Sequence, residues 1–222
     1  MTTDKPGLRE RKKAKTRLAI SNVATKMFIE RGFDDVTVAE VAAAADVSVA
    51  TIFNYFETKE DLFFDRDGET IEAERRFILQ RKVGETITSV LHREFLAAID
   101  AGVPQLMVNG PSFFRTIEGS SALRARVRLG FEKAEASLAE TLAEETDAAA
   151  GDPTPQLVAA MLVAIQRTLI ESAGAAALRG DAVASTKRRL RQACDRAFVL
   201  LEGGMRGYGK KKAAGSRRPM RA

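Results

Sequence analysis

The stretch that most constrains what this chain can become is residues 37–62, TVAEVAAAADVSVATIFNYFETKEDL, where two short helical patterns flank a break of three residues. Thr37 and Glu40 are spaced as a capping box, in which the hydroxyl takes an orphan N–H of the first turn and the carboxylate reaches back to the cap. Val38, Val41, Ala42 and Ala45 follow at i, i+3, i+4 and i+7, one apolar stripe at helical period. Asp46 tolerates the left-handed conformation that ends a helix, and Ser48 is a preferred N-cap for the next. The spacing predicts helix, tight turn, helix.

The second of these helices is expected over about residues 49–56. Ile52 and Phe56, four apart, point inward with Phe53 close to them, and Thr51, Asn54 and Tyr55 share the opposite side. A short helix with hydroxyls and an amide outside and aromatics inside suits a DNA major groove. It equally suits the surface of an ordinary helical bundle, and the pattern alone does not choose between the two.

The flanking residues add to it. The run TIFNYFETKEDL resembles the signature of the TetR family of bacterial transcription regulators, which reads T-hydrophobic-Y-x-H-F-x-S-K-E-x-L, through Thr51, Ile52, Phe56, Lys59, Glu60 and Leu62. Upstream, Arg17, Ile20, Ala24, Phe28, Gly32, Phe33, Thr37, Val41, Ala42 and the pair Val47-Ser48 extend the likeness over about residues 13–62. Three departures stand out: Asp46 replaces the usual turn glycine, Phe53 the usual tyrosine, and Tyr55 occupies the common histidine position. The resemblance implies an all-α fold, a three-helix head with a helix-turn-helix followed by a helical ligand-binding and dimerisation bundle. Its partners are then a near-palindromic double-stranded DNA operator, a small-molecule effector and a second copy of the chain, with repression the common output.

Charge agrees with a polyanionic partner. The net charge is +5, and residues 1–31 concentrate Lys5, Arg9, Arg11, Lys12, Lys13, Lys15, Arg17, Lys26 and Arg31 against three acids. Such an arm neutralises phosphates and makes binding sensitive to salt. Arg206, Lys210, Lys211, Lys212, Arg217, Arg218 and Arg221 face no acid in a tail too poor in apolar residues to fold. The expected organisation is a basic flexible arm over 1–12, a DNA-binding domain over 13–58, an effector and dimerisation domain over 59–204, and a disordered basic tail over 205–222.

The first helix is expected over residues 13–30, burying Ile20, Val23, Ala24, Met27 and Phe28 and stopping at Gly32. A fourth is expected to run from Lys59, capped by Thr58, to Gln80 as one rod between head and body. Beyond it every segment reads helical: residues 86–99, 120–145, 155–178 and 182–201, with Gly102, Pro104, Gly110 and Pro111 punctuating a short helix and a loop between the first two. The helix over 155–178 is apolar around most of its circumference and must be covered on more than one side, by the protein's core or by a second subunit.

The DNA-binding residues expected are Thr37, Ser48, Val49, Ala50, Thr51, Asn54, Tyr55 and Lys59. Val49, Ala50 and Asn54 face bases, the Asn54 amide suiting the N6 and N7 atoms of adenine, and Thr37, Thr51, Tyr55 and Lys59 hold phosphates. An effector cavity would draw on Phe77, Phe95, Phe113, Phe114 and Phe131, with His92, Arg115 and Arg167 as polar groups; with no tryptophan and twelve phenylalanines, an apolar or amphipathic ligand is favoured.

Other classes find little support. His92 is the sole histidine and Cys194 the sole cysteine, so no His- or Cys-based metal set, disulfide or metal cofactor is expected, and Cys194 reads as packing. There is no Gly-rich phosphate loop, nucleophile elbow or paired carboxylate in a recognisable setting, which argues against an enzyme. Residues 1–17 lack an apolar leader, and no apolar run is expected to reach the about 18 residues that span a bilayer, so the expectation is a cytoplasmic protein without membrane contact. The alternative function is a non-specific DNA-binding helical protein using the same basic ends.

Overall fold

In a computed structural model that describes residues 7–65, 67–101 and 110–204, every regular element is helical. The head consists of α1 (Leu8–Arg31), α2 (Val38–Ala44) and α3 (Val49–Phe53). A 3-10 turn (Glu60–Leu62) leads to the body: α4 (Asp67–Leu79), α5 (Ile87–Ala101), α6 (Gly110–Gly119), α7 (Ser121–Glu145), α8 (Thr154–Arg179) and α9 (Val183–Gly203). The expected tail over 205–222, the first residues of the arm, and Gly102 and Pro104 lie outside the described residues.

α1 begins at Leu8, earlier than the apolar stripe alone suggests. The added turns are rich in Arg, Lys and Ala, all good helix formers, so Arg9, Arg11 and Lys12, expected on a flexible arm, are exposed on the same helix as Lys13 and Lys15. At its other end Gly32, with φ 95°, donates its N–H to Phe28 O at 2.9 Å, which closes the helix as expected. Ile20, Ala24 and Phe28 of α1 then pack on Val36, Val41, Ala42, Ile52 and Phe56 to make the head core.

The single rod expected from Lys59 to Gln80 is broken. Thr58 and Asp61 cap each other, the Thr58 N–H donating to Asp61 Oδ2 at 3.1 Å and the Asp61 N–H to Thr58 Oγ1 at 3.2 Å, but the turn ends at Leu62. Leu62 and Phe63 are both buried, while Asp65 is drawn back to Arg17 Nε. Adjacent residues with such different partners cannot all share one helical stripe, so the chain turns before α4 begins.

Two residues of the body complete the core of the head. Phe113 of α6 stacks on Phe63 with ring centroids 4.5 Å apart and an interplanar angle of 8°, and Leu123 of α7 is fully buried in the same cluster. Polar ties frame this junction: Ser120 Oγ donates to Asp34 Oδ1 at 2.9 Å and Arg126 Nε to Asp61 Oδ1 at 3.1 Å.

The body core is built from Ile78, Val90, Leu91, Ile99, Leu138, Leu142, Leu162, Val163, Leu190 and Phe198, with Cys194 fully buried among them. Its thiol is pushed up to about 11 by burial, as suits a packing residue. α8 is the one described helix long and apolar enough by length and composition to cross a membrane, with a mean hydropathy of 1.4, where no such run was expected. In this fold Ala159, Leu162, Val163, Leu169, Ala173 and Ala176 turn its inner face into core.

α8 also comes close to α6 at Gly174. A Cβ at Gly174 would lie 2.6 Å from the Phe114 ring of α6. Gly174→Ala should therefore cost about 1–3 kcal/mol by overpacking, offset in part by about 1 kcal/mol of helix propensity. Denaturant unfolding checks this, and a stabilised variant would show that the ring swings aside freely.

Candidate nucleic-acid interface

α3 is held in place from both ends. At α2, the Thr37 N–H and hydroxyl both donate to Glu40 Oε2 at 2.8 Å, and the Glu40 N–H returns to Thr37 Oγ1 at 3.2 Å. The hydrogen bond from the Thr37 backbone, reinforced by Arg31 and the Thr37 hydroxyl, holds the Glu40 carboxyl down at about 2. Asp46 makes the turn at φ 53°, and Ser48 Oγ accepts the Thr51 N–H at 3.0 Å. At the far end Arg17 of α1 donates to Tyr55 O and Asp65, and its guanidinium lies 4.4 Å from the Phe56 ring centroid. Arg17 thus serves as a brace, and the helix it holds is short: Asn54 is already its C-cap.

The outward face differs from the one expected. Ser48, Val49, Ala50 and Asn54 are exposed, as the spacing implied, but Phe53 is exposed as well, at 53%. Phe53 lies four residues after Val49 and three after Ala50, and because α3 ends at Phe53 the chain beyond it carries Phe56 into the core while the Phe53 ring stays outside. Tyr55 and Thr51 are half-buried instead: Tyr55 packs against the head core, and the Thr51 hydroxyl lies 2.8 Å from Ser48 Oγ. Lys59 folds back, its Nζ donating to Phe33 O at 2.6 Å and sitting 4.3 Å from the Phe33 ring centroid. Its ammonium ties the turn to the end of α1, and only its remaining donors face outward chemistry.

The residues expected to line an effector cavity fall into separate small groups and not into one. Phe113 belongs to the shared core at the head, Phe114 lies against Gly174, and Arg167 and Phe77 are exposed. His92 Nε2 is 2.9 Å from Asp195 Oδ1 and its ring stacks on Phe198 at 4.6 Å, part of a polar seam between α5 and α9 that includes Thr88 with Glu202. Phe113 and Phe114 meet edge-on at 6.0 Å, Phe95 joins His92 on the Phe198 ring at 5.7 Å, and Phe131 is half-buried at the edge of the body core. Two open clefts lie elsewhere: one of about 370 Å³ between α8 and α9, lined by Arg179, Arg189 and Arg196, and one of about 390 Å³ between Asp34 and Asp35 of the head and Arg115 of α6.

This arrangement, a capped helix-turn-helix with a basic first helix beside it, matches the family model "Bacterial regulatory proteins, tetR family" over residues 20–65. A second model, "MftR C-terminal domain", matches residues 114–206, and together they take in more than half of the chain. The chain belongs to the TetR family. It is 25% identical over 180 residues to the HTH-type transcriptional regulator TcmR of Streptomyces glaucescens, covering 76% of this chain and 77% of TcmR. Among solved structures it is similar to NalD of Pseudomonas aeruginosa (TM-score 0.53, 18% identity, 83% of this chain and 97% of that one). It is also similar to a TetR-family regulator from Rhodococcus sp. (TM-score 0.50, 18% identity, 83% and 99%).

As a TetR-family protein it is a DNA-binding transcriptional regulator and not an enzyme, and members of the family bind DNA operators and small-molecule effectors. The departure at position 46 is accommodated, since Asp46 adopts the left-handed turn that glycine usually supplies. The departure at position 53 leaves an apolar ring in the open on the recognition helix.

Proposed function

We propose that this regulator is a cytoplasmic homodimeric repressor that reads a near-palindromic operator through α3 and releases it when a small effector occupies the body. The observation that carries the reading is the α3 face: Val49, Ala50, Phe53 and Asn54 stand exposed together on a helix braced at both ends. A rigid scaffold lets such a short helix present base-reading groups in fixed register. Asn54 offers its amide to an adenine edge, and Val49, Ala50 and the Phe53 ring offer apolar contact to thymine methyl groups. Ser48, Thr37, Thr51, Tyr55 and Lys59 ring this face and position it on phosphates, with the basic turns of α1 adding salt-sensitive affinity.

A second copy is the natural cover for the outer faces of the last two helices. Leu157, Met161 and Leu178 of α8 and Val183, Val199 and Leu200 of α9 are all exposed. Two such helices from each protomer make a four-helix bundle across a two-fold axis, which in turn sets two α3 helices on two half-sites. A monomer at micromolar concentration in sedimentation would sink this part of the reading.

Selection of random duplex DNA on the purified protein, at moderate salt with excess competitor, tests the whole. Enrichment of a near-palindromic site is expected. Binding without an enriched site, lost as salt rises, would instead make the chain a non-specific DNA-binding helical protein, a reading that the exposed basic turns of α1 would also serve. On the selected site, Asn54→Ala and Phe53→Ala should each lose about 1–3 kcal/mol of discrimination and relax the preference at one position. Lys12→Ala should weaken all sequences alike and reduce the salt slope by about one. If all three variants behaved the same way, the sorting of base from phosphate contacts would be wrong.

A further inference from the structure

Only 28% of the apolar stretch of α8 is buried within the chain, and what stays outside is ordered along one line. Leu157, Ala164, Glu171 and Leu178 recur every seven residues, and Met161, Thr168 and Ala175 fall four residues after the first three of them. Spacings of four and three therefore alternate without a break over most of the helix. That period keeps a narrow seam of side chains facing a second helix. Ala164 is half-buried and the others are exposed, while Leu162, Val163, Leu169 and Ala173 enter the core from the far side of α8.

The seam suits contact with a helix of its own kind. Its large members, Leu157, Met161 and Leu178, stand at the two ends, and the small ones, Ala164, Thr168 and Ala175, hold the middle. The Thr168 hydroxyl donates to Ala164 O at 2.8 Å, so it brings no unsatisfied donor into an apolar contact. Glu171 is the one charge in the seam. Neither its carboxylate nor the guanidinium of Arg167, exposed just beside the seam, has a hydrogen bond or ion pair to any described residue, although the two lie four residues apart on one helix. A carboxylate enclosed in an apolar contact requires a cation opposite it.

We propose that the seam is covered by a second copy of this chain, with α8 crossing the partner's α8 antiparallel at the two-fold axis and Glu171 of each protomer paired to Arg167 of the other. The proposal rests on the homodimer reading above and names the residues that hold it in register. In an isologous contact the same line faces itself, so direction decides which charges meet. Run parallel, Glu171 would face Glu171 and Arg167 would face Arg167. Run antiparallel, Met161 meets the partner's Leu178 and Ala164 meets the partner's Ala175, large against large and small against small. The next step sets Thr168 and its neighbour Arg167 against the partner's Glu171, once on each side of the axis. Opposite charges then fix a register in which the apolar members alone would tolerate a slip. The register of this crossing also sets how far apart the two α3 helices stand, and so the spacing of the half-sites.

The test is sedimentation equilibrium of the full chain as wild type, as Glu171→Arg, as Arg167→Glu, and as an equimolar mixture of the two variants. The wild type should dimerise. Each variant alone brings like charges together twice per dimer and should raise the dissociation constant about tenfold or more. The mixture should recover the wild-type affinity, because a chain with two arginines and a chain with two glutamates pair at both contacts. Misfolding cannot imitate such mutual rescue. Variants that dimerise as the wild type does would leave the homodimer standing and overturn the α8 seam, and so would variants that weaken alone and do not recover when mixed. A wild type that stays monomeric at micromolar concentration overturns the seam and the homodimer together.

Discussion

Phe113→Ala is expected to cost about 3–5 kcal/mol, the range for deleting a buried aromatic ring, and to separate the unfolding of head and body. Phe113 stands on α6 of the body, yet it is 8% exposed within the head's core. Its ring stacks on Phe63 at 4.5 Å and meets Phe64 and Phe114 edge-on at 6.2 Å and 6.0 Å. Phe63 in turn lies 6.2 Å from Phe28 of α1, and Phe114 presses on Gly174 of α8. One ring therefore sits in the apolar contact between the DNA-reading unit and the helices that would dimerise. Losing it opens a void that Phe63 and Phe64, tied into the turn after Leu62, cannot readily collapse into. Urea unfolding followed by far-ultraviolet circular dichroism and by a probe placed on the head should show one transition for the wild type and two for the variant. Phe113→Leu, which retains much of the volume, should lose less and keep a single transition. A single transition in Phe113→Ala with a loss under about 1 kcal/mol would mean that the polar ties Ser120–Asp34 and Arg126–Asp61 hold the junction without it.

What could be read from the sequence was what local chemistry decides. The Thr37–Glu40 box, the left-handed Asp46, the Ser48 cap and the glycine stop at Gly32 depend on neighbours three or four residues away, and all four are present in the structure. Where a residue's place depends on a distant partner, spacing misled. Lys59 looks like a free cation at a helix start until Phe33 O and the Phe33 ring, 26 residues earlier, claim it. The rod from Lys59 to Gln80 breaks because Phe63 has a partner on α6 that no periodicity in its own segment reveals. A helix continued to Phe56 would carry Phe53 on the inward side, but α3 ends at Phe53 itself, and the ring is left outside. Glu74 could not have been singled out at all, since a Glu between Ala73 and Arg75 in a helix is ordinary until its burial is known.

Glu74→Gln is expected to stabilise the protein by about 3 kcal/mol above pH 7 and by little below pH 5. The sign follows from proton counting. Burial raises the folded-state value from 4.5 to about 7, so between those two values the native protein holds a proton that the unfolded chain has released. Stability conferred by this group is therefore fully present below about pH 4.5, declines as pH rises through 7, and is constant thereafter, when both states are ionised. At about 1.4 kcal/mol per unit, the span gives the expected difference at about 3 kcal/mol. Glutamine never ionises, and every other titrating group is shared by the two proteins, so subtracting their denaturation curves at pH 5, 6, 7 and 8 isolates position 74. A difference that does not change with pH would mean that water or rearrangement relieves the carboxyl. A difference that grows towards acid would reverse the assignment, because it would require a partner that lowers the carboxyl, and neither Arg75 nor Arg81 is placed to be one. If the growth with pH is found, then at neutral pH this chain retains a carboxylate that weakens its own fold on the helix between head and body.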